Sequence, residues 1–182
     1  MNAWSLPNSA IIGGVEYSIN PDFRDILEII GYLNDESKTV YLRWKIAISL
    51  FFNGQIPESS EEEAALYISD FIACGKKEEK NGPKLIDWEQ DALLIVTDVN
   101  KVAGKEIRAE KFLHWWTFVA YFNGIGEGQL STVVGIRSKK AKGKKLDKSE
   151  QEYYREHKTD VDFKTCSDKE KAKMQEYFNK WL

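Results

Sequence analysis

The sequence contains few of the residues that form disulfide frameworks, metal sites or catalytic triads. Its two cysteines, Cys74 and Cys166, form no Cys-x-x-Cys motif, which favours a reducing compartment. Its two histidines, His114 and His157, have no Cys, Ser or second His at the spacing of a triad or a metal site. We therefore expect no catalytic residue, no metal and no cofactor, and hence a protein that is not an enzyme.

Long apolar runs are also missing. No window approaches the roughly 18 uninterrupted apolar residues of a membrane span, and no basic region followed by an apolar run opens the chain. We expect neither a membrane-spanning helix nor a signal peptide. The default location is therefore the cytoplasm, without a membrane partner.

The composition that is present predicts a folded chain. Hydrophobic residues make up 42% of the sequence, aromatic residues 13%, and there are six tryptophans, which is more than disordered chains carry. A chain of 182 residues can bury one sizeable core but is short for two full domains. We predict a single helical domain over residues 1–160, followed by a C-terminal segment at 161–182.

Hydrophobic periodicity predicts a mainly α fold, a compact multi-helix domain with a small N-terminal β-hairpin. The hairpin is predicted at about 10–19, because Gly13 and Gly14 can supply the positive φ angles of a tight turn. Apolar residues at helical spacing, bounded by capping residues, mark the helices. Their predicted ranges are about 21–33, 37–52, 60–74, 85–103, 108–123 and 131–142. The helix at 37–52 is apolar on more than one face, which predicts burial on two sides.

The C-terminal segment 161–182 is predicted to be an amphipathic helix. Ser167 and Glu170 have the spacing of a capping box. The apolar residues that follow share a single face and are Met174, Tyr177, Phe178, Trp181 and Leu182. Such a helix either docks onto its own domain or inserts into a groove of a partner.

Three polar features are candidate sites. Asp87 and Asp91 lie four residues apart on one face of a predicted helix, near Asp98 on a neighbouring face. Two carboxylates can hold Mg²⁺ when a substrate phosphate completes the shell, but no third ligand is in view, so we predict a solvated acidic face. His114 precedes two tryptophans, a pattern typical of a hydrogen-bonded histidine at the edge of a core. The glycine-spaced loop 124–128 is predicted to be a turn between helices.

A basic run is the strongest surface feature. Seven cations fall within twelve residues, with Asp147 as the sole acid: Arg137, Lys139, Lys140, Lys142, Lys144, Lys145 and Lys148. Residues 1–100 hold 17 acidic and 8 basic residues, and residues 101–182 hold 12 and 18, so the halves carry about −9 and +6. The run could bind nucleic-acid phosphates or acidic protein surfaces, including the first half of a second copy.

Several strings resemble the family named after bacteriophage gene product fifteen. They are NPDFR at 20–24, DWEQD at 87–91, VAGKEIR at 102–108, LHWWTF at 113–118, STVV at 131–134 and IRSKKAKGKK at 136–145. The resemblance implies a protein from the tail region of phages and prophages of Gram-positive bacteria. By the position of such genes, it also implies an assembly chaperone for the tape-measure protein. It implies no catalytic residues.

The predicted function is therefore that of a non-enzymatic phage tail morphogenesis factor in the host bacterial cytoplasm. Its expected partners are tail proteins, above all the tape-measure protein, with self-association possible. The alternative is a nucleic-acid-binding accessory protein of a phage or prophage, and an enzyme with a pocket around His114 and Asp87 ranks third. The hypothetical partner-binding residues are Arg137, Lys139, Lys140, Lys142, Lys144, Lys145, Tyr177, Phe178 and Trp181.

Overall fold

The computed structural model of the protein describes residues 4–76 and 82–164. The described chain is mainly helical with a two-stranded hairpin near its beginning, which confirms the predicted fold class. The elements are β1 (Ser9–Ile12), β2 (Val15–Ser18), α1 (Phe23–Asn34), α2 (Val40–Phe51), α3 (Glu61–Ile72), α4 (Ala92–Ala103), α5 (Trp115–Asn123), α6 (Gln129–Ala141), α7 (Lys148–Glu156) and α8 (Lys158–Val161). Short 3₁₀ turns lie at Glu58–Ser60 and Ile107–Ala109.

The described residues form two compact units. The first contains the residues up to Gly82 together with Ile95–Gly126, and the second contains Pro83–Leu94 together with the residues from Glu127 onward. Helix α4 begins in the sequence of the second unit and continues in that of the first. The predicted single domain over 1–160 stays a prediction.

The first unit opens with the predicted hairpin. Strands β1 and β2 are antiparallel, and Gly13 and Gly14 have φ angles of +58° and +79° in the turn between them. The Gly13 N–H donates to the Glu63 carboxylate on α3 at 2.8 Å, and the Tyr67 hydroxyl of α3 donates to the carbonyl oxygen of Ser9. Because an isolated hairpin is marginal in water, this anchoring on α3 accounts for its stability.

The aromatic core of the first unit joins α1, α2, α3 and α5. Phe23 stacks on Phe118 with ring centroids 4.9 Å apart, and Phe51 meets Phe71 edge to face at 5.1 Å. The Trp115 indole N–H donates to the carbonyl oxygen of Ile72 at 3.0 Å. The tryptophan is therefore buried with its one polar atom satisfied.

Helix α1 begins at Phe23, near the predicted start, with Asp22 as its cap. The predicted starts of two other helices are wrong. Helix α4 begins at Ala92 instead of 85, since the residues before it form a turn. Helix α5 begins at Trp115 instead of 108, because the chain before it pairs with the start of α1: the Phe23 N–H donates to Leu113 O at 2.9 Å and the Trp115 N–H to Pro21 O at 2.7 Å.

The prediction that the second helix is buried on two sides is also wrong. Only Ala47, Ile48 and Phe51, near the end of α2, are buried. The first turn of α2 exposes apolar side chains instead, with 63% of Val40, 67% of Tyr41 and 44% of Leu42 accessible.

The second unit has a smaller core. Val133 and Ile136 of α6 and Val161 of α8 are fully buried, and the partly buried side chains packed around them are Leu94, Leu146, Tyr153 and Tyr154. The loop 124–128 connects α5 to α6, as predicted, but α6 begins at Gln129, and Ser131 bonds back to Gly128 instead of starting the helix. Most of the predicted helix at 161–182 lies outside the described residues.

Candidate functional site

The basic run is organised around one buried guanidinium. Arg137 is 5% exposed and Asp91 is 1% exposed. The two side chains form a bidentate pair, with Nη1 donating to Oδ2 at 2.6 Å and Nη2 to Oδ1 at 2.9 Å. Such planar, two-point pairing is specific to arginine and a carboxylate.

The other donors of Arg137 are satisfied by backbone carbonyl oxygens. Nε donates to Val161 at 2.7 Å, Nη1 to Leu85 at 2.9 Å and Nη2 to Asp160 at 2.7 Å. All five N–H groups of the guanidinium are thus used, and the Phe163 ring lies 4.1 Å from its central carbon. We call Arg137, Asp91 and these three carbonyl groups the arginine clamp.

The arginine clamp joins three stretches of chain that are distant in sequence. Asp91 is held in turn by the Asp87 N–H, which donates to its Oδ2 at 2.9 Å. Gln90 binds the same region from the other side, since its amide donates to Asp162 O at 2.9 Å and accepts from the Lys164 N–H at 2.9 Å. The clamp therefore fixes the path of the chain through 160–164.

Lys139 and Lys140 are also engaged within the second unit. Lys139 binds the Glu150 carboxylate, and that hydrogen bond is the main cause that raises the pKa of Lys139. Lys140 binds Asp162 and the Tyr154 hydroxyl at 2.7 Å. Burial lowers the pKa of Lys140, but these bonds outweigh it and the net shift is upward. Both lysines tie α6 to the segments that follow it.

The remaining lysines lie at the connection between α6 and α7. Lys142, Lys144, Lys145 and Lys148 are exposed, and none of them forms a salt bridge with an acidic group among the described residues, whereas Lys139 and Lys140 do. We call residues 142–148, with these four cations, the lysine turn.

A cavity of about 250 Å³ adjoins the arginine clamp and is lined by Lys84, Arg137, Lys140, Ala141, Val161, Asp162 and Phe163. Its cationic groups are already paired: Lys84 with Asp87 at 2.8 Å, Lys140 with Asp162, and Arg137 with Asp91. The cavity is therefore lined by charges that hold the fold.

The first unit contains a second arginine cluster, in the NPDFR string. Asp22 caps α1 by accepting from the Arg24 N–H at 3.0 Å, and its Oδ2 accepts from the Leu113 N–H at 2.9 Å. Arg24 pairs with Asp22 at 2.9 Å, and its other terminal nitrogen donates to Glu110 O at 2.6 Å. These side chains hold the chain at 110–113 against the start of α1.

His114 is the buried N-cap of helix α5. It is 3% exposed, its Nδ1 accepts from the Trp116 N–H at 3.0 Å, and Nε2 lies 3.1 Å from Pro7 O. Since Nδ1 accepts, Nε2 carries the proton and donates to Pro7. Burial lowers the pKa of His114 and outweighs the opposing bond to Pro7. The predicted hydrogen-bonded core histidine is confirmed.

The predicted solvated acidic face is wrong. Asp91 and Asp98 are both buried, and Asp98 pairs with Lys101 at 2.7 Å. Asp87 lies in the turn before α4, where its Oδ1 accepts from the Gln90 N–H at 2.8 Å. Within residues 4–76 and 82–164, no group of three or more His, Cys, Asp or Glu side chains could hold a metal ion.

The predicted partner-binding residues have different surroundings in the structure. Arg137 lies in the interior, Lys139 and Lys140 are in internal ion pairs, and Tyr177, Phe178 and Trp181 lie outside the described residues. Sequence reasoning missed the arginine clamp. One signal was present, because Arg137 follows Val133 by four residues and therefore lies on its apolar face.

The fold and its buried charges define a small helical protein whose polar clusters hold the structure together. The family model described as Bacteriophage Gp15 protein matches residues 4–163. The chain belongs to this family and is a phage protein. No curated protein and no solved structure matches it. In the part of the chain that the structure describes, no helix is long and apolar enough to cross a membrane.

Proposed function

We propose that this protein is a non-enzymatic tail morphogenesis factor that chaperones the phage tape-measure protein in the host cytoplasm. Its membership of the bacteriophage Gp15 family supports a role in phage biology. A tape-measure protein is long, helical and amphipathic, so it exposes apolar stripes before tail subunits surround it. Such stripes aggregate unless another surface covers them.

The exposed first turn of α2 carries this proposal. Val40, Tyr41 and Leu42 are consecutive, and each has between 44% and 67% of its surface accessible. Large apolar side chains that are adjacent and exposed mark interaction sites more often than isolated ones do. This turn offers the apolar contact that a chaperone of an amphipathic helix needs.

The basic run, in the second unit, offers a separate contact surface. Arg137 is excluded from direct contact because its donors are used internally, and it acts as a positioning residue. Lys142, Lys144 and Lys145 remain exposed. The contribution of Tyr177, Phe178 and Trp181 stays as predicted from their shared apolar face in the sequence.

Co-expression tests the proposal. The chain and the tape-measure protein of the same phage genome are produced together and separately, and soluble tape-measure protein is quantified after pull-down in the presence of nuclease. We expect it to be soluble and bound only with the chain present. Equal solubility without the chain contradicts the proposed function.

A matched pair of variants locates the apolar contact. Tyr41→Gln with Leu42→Gln should lower the yield of soluble complex. Leu66→Gln with Leu93→Gln changes two side chains that are 63% and 73% exposed elsewhere and should leave the yield unchanged. Equal yields of soluble complex from both pairs would show that the first turn of α2 is not part of the contact surface.

A nucleic-acid-binding accessory protein is the second candidate, and the lysine turn is the observation that favours it. Exposed lysines can neutralise phosphates, and such binding weakens steeply with salt. Anisotropy of a labelled 20-bp duplex DNA, titrated at several salt concentrations, tests this candidate. A steep salt dependence that Lys142→Gln and Lys144→Gln reduce would favour it over the chaperone.

A further inference from the structure

The seven cations of the basic run divide into two groups with different surroundings. Arg137 is buried with all donors used, and Lys139 and Lys140 bind acidic groups of the same unit. The four cations of the lysine turn are exposed and have no such acidic partner among the described residues. The charge available to an external ligand is therefore concentrated in residues 142–148.

The backbone of the lysine turn is fixed at its start. Gly143 has a φ of +64°, the Lys144 N–H donates to Lys139 O at 2.8 Å, and the Gly143 N–H donates to Lys140 O at 3.1 Å. This pair of bonds is the Schellman arrangement that ends many helices.

The end of the turn is fixed as well. Asp147 accepts from the Glu150 N–H at 2.9 Å, while the Glu150 carboxylate accepts from the Asp147 N–H at 2.9 Å. This reciprocal capping box starts α7. The backbone that carries the lysines is thus held by hydrogen bonds at both ends, so the turn does not have to order its backbone on binding.

We infer that the lysine turn is a docking surface for the carboxylates of an acidic protein segment. The inference rests on the proposed function, and the segment belongs to the tape-measure protein. Cations in the last turn of a helix also offset its dipole, but Lys144, Lys145 and Lys148 lie beyond the end of α6. The dipole therefore does not account for them.

Protein carboxylates fit this surface better than a nucleic-acid backbone. One exposed acid, Asp147, lies within the lysine turn itself, and it would repel a continuous row of phosphates. A protein segment can place single carboxylates opposite single lysines. The one guanidinium of the basic run, the group best suited to bind a phosphate at two points, is buried in the arginine clamp.

The test compares two triple variants with equal loss of charge. Lys142→Gln, Lys144→Gln and Lys145→Gln neutralise three of the four cations of the lysine turn. The control removes three exposed lysines of the first unit, Lys76→Gln, Lys105→Gln and Lys111→Gln. Each chain is co-expressed with the tape-measure protein and pulled down with nuclease, and the complex is eluted in steps of rising NaCl. Thermal unfolding of both variants is measured in parallel.

We expect the lysine-turn variant to recover about tenfold less tape-measure protein at low salt and to elute earlier, with unchanged thermal unfolding. The control should behave as the wild type does. Equal recovery by wild type and lysine-turn variant overturns the inference and leaves the chaperone function standing. The inference is also overturned if the lysine-turn variant loses binding to a 20-bp duplex DNA but binds the tape-measure protein as the wild type does. Failure of the wild type to bind the tape-measure protein overturns the proposed function and the inference with it.

Discussion

Replacing Arg137 by Met should destabilise the second unit far more than a typical charge substitution. The change leaves the Asp91 carboxylate buried without its cation, and the carbonyl groups of Leu85, Asp160 and Val161 lose their donor. Removing one member of a buried ion pair costs about 3–5 kcal/mol. That is a large part of the about 5–15 kcal/mol that holds a typical domain together.

The same substitution at Lys140 is the matched control. Lys140 pairs with Asp162 where both side chains are more than a third exposed. Such pairs contribute about 0–1 kcal/mol. Lys140→Met should therefore shift the urea midpoint only slightly, as followed by far-UV circular dichroism, while amide hydrogen exchange in α6 reports the second unit directly.

A double-mutant cycle separates pairing from burial. Arg137→Met with Asp91→Leu removes both charges, so the uncompensated carboxylate disappears although the three carbonyl groups remain unpaired. The double variant should lose at least about 2 kcal/mol less than the sum of the single losses. A loss below about 1 kcal/mol for Arg137→Met, or additive single losses, would refute the structural role of the arginine clamp.

Three further predictions concern the first unit. Burial lowers the pKa of His114, so the unfolded chain takes up the proton first as the pH falls. The contribution of neutral His114 to the free energy of unfolding is fully present above the unfolded pKa of about 6.5, and it declines as the pH falls toward the folded pKa. His114→Asn should remove that decline in urea titrations between about pH 7.5 and 5, and parallel slopes would contradict this. Burial raises the pKa of Cys74 from 9.0 to about 11, so at pH 8 its thiolate is about 100-fold less abundant than that of a cysteine with the ordinary pKa. The higher nucleophilicity of a high-pKa thiolate compensates for part of this loss. Alkylation of Cys74, followed by peptide mass spectrometry, should be about tenfold slower than that of a free thiol, and equal rates would show an accessible thiolate. A Cβ at Gly13 would lie 2.7 Å from Ser60 Oγ, whereas one at Gly14 meets nothing within 4 Å. Both have positive φ, so Gly13→Ala should lower the free energy of unfolding more than Gly14→Ala, and adding Ser60→Ala should remove the difference.

Local patterns in the sequence predicted most of the elements. Gly13 and Gly14 form the expected turn, and the apolar spacing identified α1, α3 and α6 to within a few residues. These features depend on neighbours along the chain, which a sequence displays directly. The predicted helix at 85–103 is too long, because the spacing of Asp87 and Asp91 is that of helical surface residues, whereas their carboxylates bind backbone and guanidinium groups.

The site is formed by contacts between residues that are far apart in the sequence. Asp91 and Arg137 are separated by 46 positions, and no periodicity relates one to the other. A count of basic residues assigned the same surface role to Arg137 and Lys144, although one is buried and the other exposed. Position on the apolar face distinguishes them, since Arg137 follows Val133 by one helical turn and Lys144 lies beyond the end of α6.

The contacts of Asp22 have a consequence for synthesis of the chain. Asp22 and Leu113 are bonded across 91 positions, and Arg24 binds the carbonyl group of Glu110. When α1, α2 and α3 leave the ribosome, the segment that completes their core has not yet emerged. During that interval the aromatic faces of these helices have no cover and are open to aggregation. The first unit therefore starts to fold early during synthesis, but its core is completed only after the LHWWTF string has left the exit tunnel.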